Sequence, residues 1–418
     1  MGKTIAEKIL SSRAGMDLKA GDFAVCQIDF CFGQDGTSGI IIDRFKALGI
    51  KEAFDRNKFA IVIDHSAPSP SMGVSAVHKK LRDFAKEKGL LLYDIGCGVC
   101  HQIIPEQGHV LPGDLVLGAD SHTCTYGAMG ALSTGVGSTD LAISLASGKN
   151  WFKVPESIKI IVNGKLPKGV YSKDLILKVI GDLGADGATY RSVEFYGPAI
   201  EALSMDARFT ICNMGVEMGA KFCIIPADKV TLDWIRGRNV SRKPQPQYAD
   251  QDASYSLVKE YDASKIIPQL AKPHTVDNNA SVQEMEGTHI DEAYLGTCTN
   301  GRLEDLEIAA CILKNKKINK DVRFIVAPAS RSIYLEAIEK GIISVLVKAG
   351  ASVVTPGCGP CVGTHNGVPS IGETVISSAN RNFKGRMGQP EAFIYLGSPA
   401  TVVASAIEGK LTDPRKFV

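Results

Sequence analysis

The chain has 418 residues, 44% of them hydrophobic and 22% charged, with a formal net charge of +2, the make-up of a soluble globular protein of two to four domains. Such a balance gives no footing for nucleic acid or an anionic membrane as partner, and no apolar run approaches the roughly 18 residues needed to span a bilayer. Met1-Gly2-Lys3-Thr4-Ile5-Ala6 begins neither a signal peptide nor a myristoylation site, so the expected compartment is the cytoplasm. The 11 cysteines are an odd number in a large chain, which argues for thiols, metal ligands or core residues rather than a disulfide framework.

Thr4-Ile5-Ala6-Glu7 is a capping box that starts a short structural helix ending near Gly15. Apolar, β-rich runs then alternate with helical patterns. Strands are predicted at 59–63, 90–93, 114–117, 158–162, 292–295, 322–326 and 352–354. Helices are predicted at 139–147, 173–180, 303–314 and 331–340, and Ala76, Val77, Leu81, Phe84 and Ala85 predict one face of a helix after the first strand. The alternation predicts an α/β architecture with mostly parallel sheets. The segment 238–272, with Lys243-Pro244-Gln245-Pro246-Gln247, reads as an elaborated surface region. The expected domains are 1–155, 156–287 and 288–418. Thr-Cys-Thr occurs at 123–125 and at 297–299, too short a match to signal duplication.

The polar groups are informative by position. Asp64-His65 follows one strand directly, Asp120-Ser121-His122 follows another after Gly118-Ala119, and Cys298 follows Tyr294-Leu295 after Gly-Thr. Cys358 and Cys361 follow Val353-Val354. Ligand sites of parallel α/β sheets lie beyond the carboxyl ends of strands, so these segments would share a rim if their strands run the same way. His78 and His109 read as helix surface and loop. Cys26, Cys31, Cys212, Cys223 and Cys311 read as small hydrophobes. Asn380-Arg381-Asn382-Phe383-Lys384-Gly385-Arg386 reads equally as a solvated basic loop or as a built site whose two guanidinium groups suit bidentate carboxylate recognition.

Thr355-Pro356-Gly357-Cys358-Gly359-Pro360-Cys361 presents two sulfurs from one tight loop, which fits a metal ligand pair, a redox pair or inert loop residues. A thioredoxin-like pair belongs at a helix N-terminus, whereas Val362-Gly363-Thr364-His365-Asn366-Gly367 reads as loop. A zinc site wants a second pair nearby, and Cys97 with Cys100 lies far upstream. A cluster held by Cys358, Cys361 and one distant cysteine is the remaining option.

Several motifs resemble, in order, those of the aconitase superfamily, and in particular its separate large subunits. They are Val99-Cys100-His101-Gln102, Gly118-Ala119-Asp120-Ser121-His122-Thr123-Cys124-Thr125, Thr210-Ile211-Cys212-Asn213-Met214 and Gly296-Thr297-Cys298-Thr299-Asn300-Gly301-Arg302. Pro356-Gly357-Cys358-Gly359-Pro360-Cys361 and Asn380-Arg381-Asn382-Phe383 with Arg386 complete the set. The resemblance implies a three-domain fold and a [4Fe-4S] cluster on Cys298, Cys358 and Cys361 with one iron free of cysteine. It also implies a catalytic shell of Asp64, His65, His101, Asp120, Ser121, His122 and Glu217. Asn213, Asn300 and Asn380 would orient cluster and substrate, Arg381 and Arg386 would clamp carboxylates, and Gln34 falls near a substrate contact. Single-chain members continue into a mobile fourth domain that supplies a serine base and another arginine, so the resemblance implies a small-subunit partner here. The implied activity is a hydro-lyase isomerising 2- and 3-isopropylmalate through 2-isopropylmaleate. Homoaconitate or 2,3-dimethylmalate chemistry is the near alternative, and a non-catalytic metal or redox protein on the same scaffold is the distant one.

Overall fold

The computed structural model describes every residue except Met1, Asn239 and Ser241. A buried stripe of Ile5, Ala6, Ile9 and Leu10 docks the first helix, Ile5–Ala14, whose capping box is formed by Thr4 and Glu7 as the sequence predicts. Three α/β units follow, each built on its own sheet. The first sheet is wholly parallel, in the spatial order Leu91–Tyr93, Phe59–Val62, Phe30–Gln34, Leu115–Gly118, Leu132–Gly135. Its central strands are buried at every residue, which is why they read as unbroken apolar runs rather than alternating ones. The second sheet is also parallel and joins Phe222–Ile224, Ser192–Tyr196, Ser157–Asn163 and Leu257–Asp262.

The third sheet has a parallel body, in the order Ser352–Val353, Arg323–Ala327, Glu292–Gly296, Thr374–Ser377, Phe393–Leu396. Gln269–Ala271 and Asn279–Ser281 extend it as an antiparallel edge. Counting along the chain, the first sheet and this body share one spatial order: third, second, first, fourth, fifth strand. Both therefore reverse direction between their first and fourth strands, the crevice in which open α/β sheets bind ligands. No helix is long and apolar enough to cross a membrane among the described residues.

Three expectations are corrected. The 238–272 segment is not only surface elaboration: Leu257–Asp262 pairs in register with Ser157–Asn163, and Gln269–Ala271 is buried. His78 is buried rather than on a helix surface, since the inward face of Met72–Lys88 is His78, Leu81, Phe84 and Ala85 while Ala76 is exposed. Cys311 is exposed on its helix, unlike the other four cysteines read as small hydrophobes.

Candidate active site

Asp64-His65 leaves the end of the strand Phe59–Val62, and Asp120 leaves the end of Leu115–Gly118. Because these strands are parallel to the one between them, both acids emerge at the same rim. Gly118 fits here because an added Cβ would lie 2.3 Å from Thr123 Oγ1 and 2.4 Å from the Phe32 ring. Asp64 Oδ1 faces His65 Nδ1 at 2.8 Å, and Asp64 Oδ2 accepts the Cys100 backbone N–H at 2.6 Å. On the other side of the ring, His65 Nε2 lies 3.2 Å from Asp120 Oδ2. Asp120 Oδ1 also faces His101 Nε2 at 2.7 Å and accepts the His122 backbone N–H at 2.8 Å.

Electrostatics separates these groups. Burial disfavours the charged form of His65, but the Cys358 sulfur, Asp64 and Asp120 outweigh it and hold the imidazole well above its ordinary range. With a carboxylate at each ring nitrogen, His65 is an imidazolium that donates on both sides. His101 is depressed by burial against the pull of Asp120, so its neutral ring donates from Nε2 and leaves a buried, unpartnered Nδ1. Burial would raise Asp120, yet His101, His122 and His65 keep it well below the carboxylate norm.

The second unit closes the far side. His122 Nε2 lies 2.7 Å from Glu217 Oε1. Arg381 Nε donates to Glu217 Oε2 at 3.0 Å, and its Nη1 donates to Ser121 Oγ at 2.8 Å. Glu217 is held ionised, burial being outweighed by His122 and Arg381. A cleft of about 540 Å³ opens beside Asp120 and Ser121, walled by Ala119, Val136, Val216 and Tyr190, with Lys221 on its lining.

The three cysteines come from two strand ends of the third sheet and are all buried. Cys298 follows Glu292–Gly296, where an added Cβ on Gly296 would lie 2.5 Å from Ala327 O. The next residue, Thr297, holds φ at 66°, a left-handed conformation that costs a β-branched residue on the order of 1–3 kcal/mol and marks a position the surroundings over-determine. Cys358 is the N-cap of the 3-10 turn Gly359–Val362, and Cys361 lies within it. Cys358 N donates to Asp64 O at 2.8 Å, which ties this loop to the histidine rim. Asn213 Nδ2 points at Cys298 Sγ from 3.3 Å. Asn380 spans two sulfurs, with Nδ2 3.7 Å from Cys298 and Oδ1 3.7 Å from Cys361. Arg386 Nη2 lies 3.5 Å from Cys361 Sγ, and Cys358 Sγ lies 3.8 Å from His65 Nδ1.

Thus Asp64, His65, His101, Asp120, Ser121, His122, Glu217, Asn213, Asn380, Arg381, Arg386 and the three cysteines form one connected site. Asn300 lies beneath it, with Nδ2 donating to Asp305 Oδ1 at 2.9 Å rather than to sulfur. The Gln34 side chain accepts the Gly36 N–H and caps the helix Asp35–Ala47. His109 sits in a loop, as expected, but half-buried with its ring stacked 4.6 Å from Phe30.

Sequence reasoning missed Asp35. Its buried carboxylate accepts the backbone N–H groups of Asp64 at 3.0 Å, His65 at 2.7 Å and Ser66 at 2.9 Å, with His78 Nε2 behind it at 3.3 Å. The signal was its position directly after the strand Phe30–Gln34. Arg302 was also missed: fully buried, it donates from Nε to Gln102 Oε1 at 2.9 Å and from Nη1 to Thr299 O at 3.1 Å, bracing the Cys298 loop.

The family described as aconitase (aconitate hydratase) matches residues 7–409. A Thermotoga maritima protein named 3-isopropylmalate dehydratase large subunit 1 is 51% identical over all of this chain and all of its own length, and an Archaeoglobus fulgidus protein named 3-isopropylmalate dehydratase large subunit 2 matches equally. A Methanosarcina mazei protein named probable methanogen homoaconitase large subunit is 52% identical over 94% of this chain and all of its own. Among solved structures, Thermococcus kodakaraensis aconitase X in its holo form superposes with a TM-score of 0.52 at 13% identity, covering 90% of this chain and 88% of that one, a likeness of fold. The chain belongs to the aconitase family.

Proposed function

We propose that this chain is the large subunit of a hydro-lyase that interconverts 2- and 3-isopropylmalate through 2-isopropylmaleate, using a [4Fe-4S] cluster on Cys298, Cys358 and Cys361. Support comes from relatives carrying the dehydratase name at about half identity over their whole length, and the observation that carries the reading is the meeting of three thiols with a His–Asp relay and two arginines.

The donor set suits an iron-sulfur cluster. Amide and guanidinium N–H groups of Asn213, Asn380 and Arg386 aim at sulfur, as thiolate ligands require. Burial pushes the free Cys298 thiol up to about 11, so loading must displace protons. When bound through three cysteines, such a cluster supplies an open Lewis-acidic iron for the substrate hydroxyl and carboxylate.

The chain's own residues do the rest. Arg381 and Arg386 bind the two carboxylates, which suits a dicarboxylate and fixes its orientation. His65, an imidazolium between Asp64 and Asp120, holds a proton for the leaving hydroxyl. Neutral His101 and ionised Asp120 take up and return protons of water, and Glu217 pins both His122 and Arg381. Dehydration followed by rehydration with the opposite regiochemistry moves the hydroxyl to the neighbouring carbon.

The large-subunit names of the relatives support a separate small subunit, proposed to supply the remaining groups of the site and to share in substrate choice. The 52% identity to a protein named for homoaconitase favours homoaconitate as the second reading. The test is to reconstitute the anaerobically purified chain with its small subunit and compare hydration of 2-isopropylmaleate, homoaconitate and dimethylmaleate. The expected result is a brown chain, inactive alone, with the highest kcat/KM for 2-isopropylmaleate in the complex. Higher kcat/KM for another substrate replaces the substrate assignment, and turnover by the isolated chain refutes the need for a partner. A colourless, zinc-containing chain, or a readily formed Cys358–Cys361 disulfide with thiol-exchange activity, refutes the cluster.

A further inference from the structure

Lys173 is a fully buried lysine that the site described above does not use. It is the second residue of the helix Ser172–Leu183, where the positive end of the helix dipole opposes a cation. Burying an ammonium at such a place is costly unless something compensates. Among the described residues no carboxylate pairs with it. Its Nζ donates to Ala379 O at 2.6 Å and Ser378 O at 2.9 Å, and lies 3.7 Å from Met214 Sδ. Ser378 and Ala379 immediately precede Asn380 and Arg381. Burial depresses its pKa to about 7, with Cys361 and then Glu217 pulling the other way.

The two carbonyls explain the placement. The strand Thr374–Ser377 ends just before them, and Asn380 and Arg381 must turn in different directions, one toward sulfur and the other toward Glu217 and Ser121. A backbone that makes this turn lifts its carbonyls out of the sheet ladder, where each needs a donor. A lysine nitrogen offers at least two N–H donors, one for each carbonyl, and the helix Ser172–Leu183 of the second unit delivers it.

We propose that Lys173 is a positioning residue: by binding the carbonyls of Ser378 and Ala379 it sets the loop that holds Asn380 on the cysteine sulfurs and Arg381 against Glu217 and Ser121. Its consequence for substrate binding rests on the dehydratase reading, whereas its consequence for the loop does not. The charge-free, similarly long Lys173→Met keeps the stem and removes every donor. Val179→Ala, fully buried on the same helix, is the control for general loosening.

The first readout is amide hydrogen exchange of the full chain across residues 378–382. Loss of two hydrogen bonds should accelerate exchange there by at least about tenfold in Lys173→Met and leave it unchanged in Val179→Ala. The second is the kinetic split in the reconstituted complex: KM for the dicarboxylate rises about tenfold or more while kcat moves by less than about threefold, the pattern of lost ground-state and transition-state binding together. Wild-type exchange in Lys173→Met, or equal acceleration by Val179→Ala, overturns the proposal. If the methionine chain does not fold, Lys173→Arg and Lys173→Gln make the comparison with charge kept and charge removed; equal KM values overturn it, and a higher KM for the glutamine chain supports it. A wild-type complex that fails to hydrate 2-isopropylmaleate sinks the dehydratase reading, and the exchange measurement still decides on Lys173.

Discussion

Replacing Asp120 by asparagine keeps the shape of the side chain and removes the one carboxylate that faces both His65 and His101. In the wild-type chain its oxygens lie 3.2 Å from His65 Nε2 and 2.7 Å from His101 Nε2, and one of them also accepts the His122 N–H at 2.8 Å. An amide can accept at one end only. If its nitrogen takes the Oδ1 position, it meets two donors, His101 Nε2–H and the His122 N–H; if it takes the Oδ2 position, it meets the His65 donor. The less costly orientation keeps the oxygen at the Oδ1 position and loses the His65 contact, which at roughly 1.5–3 kcal/mol for a hydrogen bond to a charged group is, at 1.36 kcal/mol per decade, about a 10- to 10²-fold fall in kcat/KM. The pH profile moves too. Asp120 raises both imidazoles, so its loss lowers both. A protonated histidine required for turnover is lost as pH rises through its pKa, and a lower pKa brings that alkaline limb to lower pH. Hydration of 2-isopropylmaleate by the reconstituted complex, followed across the neutral range, tests both effects. Iron content should stay at the wild-type level, because Asp120 bonds to no sulfur. A kcat/KM within about fivefold of wild type, or an alkaline limb that stays in place, refutes the relay.

Cys298→Ser should abolish the visible absorption and bound iron and sulfide of anaerobic protein, whereas Cys124→Ser, whose thiol donates to Cys212 O at 3.1 Å, should leave them intact; colour retained by the first or lost by the second contradicts the ligand assignment. Asp35→Ala strands the backbone N–H groups of Asp64, His65 and Ser66 and should cost about 3 kcal/mol in unfolding free energy, at roughly 1 kcal/mol for each lost partner. Burial works against the Asp35 charge, but His65 and the three N–H groups prevail and depress its pKa below 3.8. A depressed carboxylate contributes fully above its unfolded pKa and loses that contribution as pH falls through its folded one. The gap between wild type and Asp35→Ala in denaturant titrations should therefore narrow on acidification below about pH 4; a gap that is constant or widens there contradicts the carboxylate's role.

The groups of the site were legible and their supports were not, for one physical reason. Asp64-His65, Asp120-Ser121-His122 and Cys298 sit directly behind apolar runs, so a reader who knows that strand ends face ligands can collect them without seeing the sheet. Asp35 and Lys173 act on backbone atoms of segments far away in the chain, and backbone partners leave no mark in a sequence. His78 misled for the same reason, since a histidine on a helix reads as surface until the buried carboxylate opposite it is known. The shared strand order of the first and third sheets was equally hidden. Thr-Cys-Thr follows the fourth strand in one and the first strand in the other, so that matching tripeptide joins positions that do not correspond. That mismatch carries a functional consequence. In the first unit the cysteine of the triplet turns into the core and bonds a carbonyl, and the rim is left to acids and imidazoles. In the third the triplet directly follows a strand end, where Gly296 and the strained Thr297 turn Cys298 toward Asn213 and Asn380. Two sheets of one topology thus meet with complementary chemistry: acids and imidazoles on one rim, thiols on the other, and an open cleft beside Asp120 and Ser121.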